Sequence, residues 1–197
     1  MKKNKKNLWA DHYTNQAKKD KYPARSVYKL KEIQSKYRLI RPGNSVLDLG
    51  CAPGSWMMFA SEIIGQSGHA TGIDQKKITI QMKSPYTVLT EDIFKIKDQE
   101  TIAGAPFDIV LSDMAPNTTG RKDVDCLRSF QLCEAALDVA KKHLQKGGHF
   151  VCKLFQGSDT KEIIDAVQGA FSTKRLFKPQ TTRKASKEIY IIGMGRL

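Results

Sequence analysis

The chain has 197 residues, 40% of them hydrophobic, and its 33 Lys/Arg against 20 Asp/Glu give a net charge of +13. This length suits one domain spanning 1–197 with a substantial core, and no apolar run approaches the roughly 20 residues that a membrane helix needs. Four cysteines, at 51, 126, 133 and 152, lack CxxC spacing, so they suggest neither a zinc site nor a disulfide framework and read as buried thiols of a reducing compartment.

In chain order, the basic start Met1-Lys2-Lys3-Asn4-Lys5-Lys6-Asn7 has no apolar stretch behind it and is not a secretory signal. Pro23 suits a first helical turn, and Val27, Leu30, Ile33, Gln34 and Tyr37 follow at near-helical spacing. This predicts an amphipathic helix over 23–37 with Lys29 near one edge of its apolar face. Arg41-Pro42-Gly43-Asn44 makes a turn. Strands and helices then alternate: a strand over 45–49, a helix over 55–64, and strands over 69–73, 86–89 and 107–112. A long helix over 124–144 is expected to stop at Gly147-Gly148. A fifth strand over 149–155 precedes a helix over 160–171, where Asp159 and Glu162 have capping-box spacing. Final strands over 173–177 and 189–194 flank a basic loop. The alternation implies a parallel sheet covered on both faces, and the closing strand–loop–strand implies an antiparallel last strand.

The charge is concentrated at the two ends. Residues 1–41 carry 13 Lys/Arg against 3 acids, and residues 174–197 carry 7 against Glu188 alone. The middle, 42–173, has 13 against 16. Two basic flanks around a mildly acidic centre suit a polyanion grip beside a chemical core, and nucleic acid is the favoured partner.

Gly50-Cys51-Ala52-Pro53-Gly54 follows an apolar strand and opens a helix, the setting of a mononucleotide loop. By itself such a loop reads equally as a tight strand-to-helix connection. It is neither GxGxxG nor a Walker A loop, and without a lysine it suits a ligand carrying no phosphate. Asp74, ending the second strand 24 residues after Gly50, can accept both ribose hydroxyl protons of a nucleoside. Asp92, after the third strand, is placed either to accept from an adenine amino group or to cap a turn. Trp56 reads as a ligand contact or as core. The dehydrogenase alternative is disfavoured by the loop sequence. His12, His69, His143 and His149 are scattered, and no metal is expected.

The loop Asp48-Leu49-Gly50-Cys51-Ala52-Pro53-Gly54-Ser55-Trp56 is joined by four further settings. These are Arg25-Ser26-Val27-Tyr28-Lys29-Leu30, Leu111-Ser112-Asp113-Met114-Ala115-Pro116-Asn117, Val151-Cys152-Lys153-Leu154-Phe155 and Glu188-Ile189-Tyr190-Ile191. Together, from Trp9 to Leu197, they resemble the FtsJ/RrmJ (RlmE) family of RNA ribose 2'-O-methyltransferases. The resemblance implies the Rossmann-like methyltransferase fold of class α/β, a seven-stranded, mostly parallel sheet with a reversed final strand. It implies S-adenosylmethionine as cofactor, held by the positions Gly54, Trp56, Asp74, Asp92 and Asp113, with S-adenosylhomocysteine as product. Ser55 departs from the second glycine of many relatives, a small-for-small change. The implied target is a uridine in large-subunit ribosomal RNA, within the particle or as naked RNA. A tRNA ribose, or RNA binding without catalysis in ribosome assembly, is the alternative. The implied setting is a cytoplasmic monomer without membrane association, with a eukaryotic organelle as the alternative compartment.

Methyl transfer to a ribose oxygen requires alignment plus a base or cation beside that oxygen. Two ammonium groups at one site repel, so one of them loses its proton more easily, and a carboxylate fixes their orientation. Within the resembling motif, Lys153, at the end of the fifth strand, is expected nearest the 2'-oxygen, with Lys29 the second cation. Asp113 would stand between cofactor and lysines, and Glu188 would anchor a lysine. Taken singly, Lys153 also reads as a solvated strand end and Glu188 as an edge-strand gatekeeper. Asn117 and Thr118 offer no aromatic clamp after Pro116, which favours ribose over base methylation.

Overall fold

The computed structural model describes residues 8–78, 80–96, 101–183 and 185–197, with the side chains of 8–11 outside that description. The basic start 1–7 and Lys184 of the basic loop therefore lie outside the described residues. Helices α1 (Leu8–Lys19) and α2 (Val27–Tyr37) precede strand β1 (Ser45–Leu49), helix α3 (Ser55–Ile64), β2 (His69–Asp74) and β3 (Tyr86–Thr90). A short α4 (Ile93–Ile96), β4 (Phe107–Ser112), α5 (Lys122–His143) and β5 (Leu144–Phe155) follow. The chain closes with α6 (Thr160–Ala170), β6 (Phe171–Phe177) and β7 (Glu188–Arg196).

The seven strands form one sheet in the order β3-β2-β1-β4-β5-β7-β6. Pairing from β3 through β5 is parallel, and β7 runs antiparallel to both β5 and β6. The expected α/β fold with a reversed last strand is what the chain adopts. Strand alternation sorts the core onto two faces. Leu47, Leu49, Val110, Cys152 and Ile191 pack against α5 and α6 on one side. Val46, Leu111, Val151, Tyr190 and Ile192 pack against α2 and α3 on the other. Strand β5 thus sends Val151, and with it Lys153, to the face that α2 covers. Among the described residues no helix is long and apolar enough to cross a membrane.

Three local expectations fail, and one helix was not anticipated. Helix α1 precedes Pro23, where none was expected. Helix α2 begins at Val27, after Ser26, rather than at Pro23. Residues 24–26 turn more tightly because tertiary bonds claim them: Ala24 N–H donates to Ser55 Oγ at 2.7 Å, and Trp56 Nε1 donates to Ser26 O at 2.9 Å. Gly147 does not stop α5, which ends at His143. The chain enters β5 directly, and pairing jumps from Phe107–Leu144 to Ile109–His149, with the left-handed Gly147 (φ 78°) inside this bulge. No capping box forms at α6: Asp159 makes no side-chain cap, and its Oδ1 instead accepts from Ser158 Oγ at 2.8 Å.

Candidate active site

The C-terminal ends of parallel strands are where open α/β sheets receive ligands, and two groups of residues meet there. The first is a crevice of about 380 Å³ lined by Gly50, Ala52, Asp74, Glu91, Asp113 and Met114, among others. Gly50 has φ +74°, and a Cβ there would lie 2.4 Å from Met114 Cγ. Any side chain would therefore close the crevice floor. Asp74 is fixed through both oxygens: Oδ2 accepts from Ala52 N–H at 2.9 Å and Oδ1 from Lys76 N–H at 2.8 Å. Each oxygen keeps capacity to accept a further hydrogen bond, and Asp74 lines the crevice. Three carboxylates (Asp74, Glu91, Asp113) against one ammonium (Lys76) line this space, which suits a cationic ligand and disfavours a phosphate.

The second group is the Lys-Asp-Lys-Glu set, which the fold brings together from α2, β4, β5 and β7. Lys153 Nζ donates to Asp113 Oδ1 at 2.9 Å and to Asp113 O at 2.6 Å. Lys29 Nζ lies between Glu188 Oε1 at 2.8 Å and Oε2 at 2.9 Å, and 4.0 Å from Asp113 Oδ1. Both lysines are therefore tied to carboxylates in a poorly hydrated setting, with side-chain exposures of only 6% and 13%. Burial, the largest single influence, pushes the Asp113 carboxyl up. The charges of Lys153 and Lys29, with hydrogen bonds from Tyr190 and Lys153, together hold it below the usual carboxylate range.

Three residues that complete this arrangement were not read from the sequence. Tyr190 OH donates to Asp113 Oδ1 at 2.6 Å, and burial first, then the Asp113 charge, pushes this phenol well above its ordinary value. Tyr190 pairs directly with Lys153 across β5 and β7. The two-residue period from Glu188 was the available signal, since it puts both side chains on one face. Thr182 Oγ1 donates to Glu188 Oε1 at 3.1 Å. Glu32, nearly one turn beyond Lys29, accepts from the backbone N–H of Gln180 at 2.6 Å and Thr181 at 2.9 Å. That clamp fixes the β6–β7 loop beside Glu188.

The remaining sequence-selected positions lie elsewhere. Gly54 precedes α3 with φ +108°, where a Cβ would lie 2.0 Å from Ile80 Cδ1. Trp56 is 3% exposed, tilted against the Tyr190 ring at 5.8 Å, and holds the turn leading into α2. It reaches Lys29 through the backbone rather than lining the crevice. Asp92 Oδ1 accepts from Phe94 N–H at 3.0 Å and caps the start of α4.

A family model described as FtsJ-like methyltransferase matches residues 22–196. A protein of Desulfosudis oleivorans named ribosomal RNA large subunit methyltransferase E is 55% identical over 188 residues, covering 94% of this chain and 90% of the relative. One of the same name from Bdellovibrio bacteriovorus is 45% identical over 193 residues, 94% of this chain and 96% of its own. The crystal structure of a ribosomal RNA methyltransferase from Plasmodium falciparum superposes with a TM-score of 0.74 at 27% identity, over 89% of this chain and 99% of that one. The chain belongs to the FtsJ-like methyltransferase family.

Proposed function

We propose that this methyltransferase uses S-adenosylmethionine to methylate a ribose 2'-hydroxyl, most specifically of a uridine in large-subunit ribosomal RNA. The relatives' shared name supports the ribosomal substrate. The carrying observation is the contact of the two site halves at Asp113, which lines the crevice and holds Lys153 at 2.9 Å.

The crevice fits the cofactor by volume, since small-molecule sites span about 300–1,000 Å³. It also fits by charge, being acidic toward a cation. Asp74 would take the ribose hydroxyls, and Asp92 with the Glu91–Phe94 segment would border the base. Gly54 and Trp56 shape the loop from behind. When bound, the cofactor supplies an electrophilic methyl whose bond to sulfur breaks as the ribose oxygen attacks. Lys153, fixed by Asp113, stands at the 2'-oxygen, where its ammonium stabilises developing alkoxide or its free amine accepts the hydroxyl proton. Lys29 adds a second positive charge, Glu188 orients it, and Tyr190 keeps Asp113 aimed. The basic flanks would hold RNA phosphates across the strand ends.

Mass spectrometry of nucleosides from large-subunit RNA, with and without the gene, tests this reading. Loss of one 2'-O-methyluridine in the deletion strain, restored by the purified protein with S-adenosylmethionine, is the expected result. A methyl found on a base, or an RNA unchanged by the deletion, rejects it.

A further inference from the structure

Helix α2 carries basic residues beyond the catalytic set. Lys36 lies on the same helical face as Lys29 and Glu32, and Lys31 beside it. Past Lys29 that face opens into a groove of about 700 Å³ between α1, α2 and the end of β6. Its walls carry three rings, Tyr13, Tyr28 and Phe177, and three lysines, Lys31, Lys36 and Lys178. Ammonium groups sit over the rings: Lys36 Nζ is over the Phe177 ring, 4.9 Å from its centre, and Lys31 Nζ over that of Tyr28 at 5.5 Å. A stacking base would take these positions as the flexible lysines swing to its phosphates. Tyr13 and Tyr28 are 5.6 Å apart. Glu32 supplies the groove's one carboxylate, which is occupied by the Gln180 and Thr181 amides. The groove and the active site share neighbouring strands: Phe177 pairs in register with Tyr190, whose hydroxyl holds Asp113.

We propose that this groove is a stacking subsite for a nucleobase flanking the methylated nucleotide, with its lysines on the adjoining phosphates. The proposal rests on the RNA methyltransferase reading above and assigns the partner a single-stranded, unstacked conformation there. Aromatic rings together with lysines on flexible stems match the alternation of flat base and charged phosphate along such a strand.

The test separates base from phosphate. A fluorescein-labelled oligouridylate and an abasic strand of equal charge are titrated against the full chain. The parent is compared with a Tyr13→Leu/Phe177→Leu variant and a Lys36→Gln/Lys178→Gln variant. Unchanged S-adenosylmethionine affinity serves as the fold control, and Tyr13→Leu alone, on α1, is the fallback if the double variant fails that control. Ring removal is expected to weaken oligouridylate binding about tenfold without changing the salt slope, and to leave abasic-strand binding at the parent's value. Phe177→Tyr should retain parent affinity. Lysine removal should flatten the salt slope for both strands.

Parent-like oligouridylate binding by the ring variants overturns the proposal, as does an equal loss on the abasic strand. A loss seen only with the ribosomal particle would mean that the groove meets protein, and it also overturns the proposal. These failures concern the groove alone when the parent still methylates RNA. A parent that neither binds nor methylates RNA rejects the functional reading and the groove with it.

Discussion

Asp48, inside β1, and Asp113, just beyond β4, occupy neighbouring strands on the same face of the sheet, yet their surroundings are opposite. Asp48 is 1% exposed, and neither oxygen has a hydrogen-bond partner. Burial, then the charges of Asp113 and Asp74, drives its carboxyl well above the usual value. The Met57 backbone N–H pulls the other way without completing a hydrogen bond. Asp113 is surrounded by Lys153, Lys29 and Tyr190 and is held low. Burial alone therefore does not decide ionisation at this end of the sheet; partners do. The acid beneath the glycine loop is biased toward its neutral form, and the acid at the site rim is biased toward its charged form and holds Lys153.

The largest expected effect lies at Lys153, on the charged side of this contrast. Lys153→Ala should lower methyl transfer about a thousandfold, with S-adenosylmethionine affinity near the parent's by calorimetry. Lys153→Arg should fail as well, since a guanidinium stays protonated and its planar fork does not reproduce a point contact. Transfer by Lys153→Ala at close to the parent rate would remove Lys153 from the chemistry.

Next in size is stability. Asp113→Ala leaves the Lys153 ammonium without its carboxylate, and breaking a buried pair typically costs about 3–5 kcal/mol. The pH dependence has a defined sign. Because the folded carboxyl is held below its ordinary 3.8, its contribution is present above that pH and is lost as pH falls through the folded value. Chemical denaturation should therefore show the gap between parent and variant narrowing below about pH 4. A gap unchanged into strong acid would mean that Asp113 is not the charged partner.

The two regions also differ in how much of each was readable beforehand. The bounds of β1, α3 and β4 were legible to the residue, because turn residues such as Pro42-Gly43-Asn44 and the Gly50–Gly54 loop bracket runs whose length separates strand from helix. The four charged residues stood out through their motifs, although they come from four elements. What escaped were contacts made across the fold. Glu32 looks like any helical surface acid until the β6–β7 loop brings two amides to it. Helix α2 began late because Ser55 and Trp56, far along the chain, claim residues 24–26. Asp48 read as one letter of a loop motif, and nothing local to it announces that both its oxygens lack partners.

That silent acid carries the smallest and most specific prediction. A raised folded value means the folded state keeps its proton while the unfolded chain releases it. Between 3.8 and the raised value the unfolded state thus binds fewer protons, and stability falls as pH rises. Asp48→Asn keeps the shape of the neutral acid and cannot ionise. Thermal melts of parent and variant should nearly coincide at pH 4, and the variant should gain on the parent as pH rises from there until the folded value is passed. The Asp113→Ala gap runs the opposite way, with that variant losing ground as pH rises from acid. Parallel curves for Asp48→Asn and its parent would show that Asp48 is ionised in the folded protein, and the contrast between the two carboxyls would collapse.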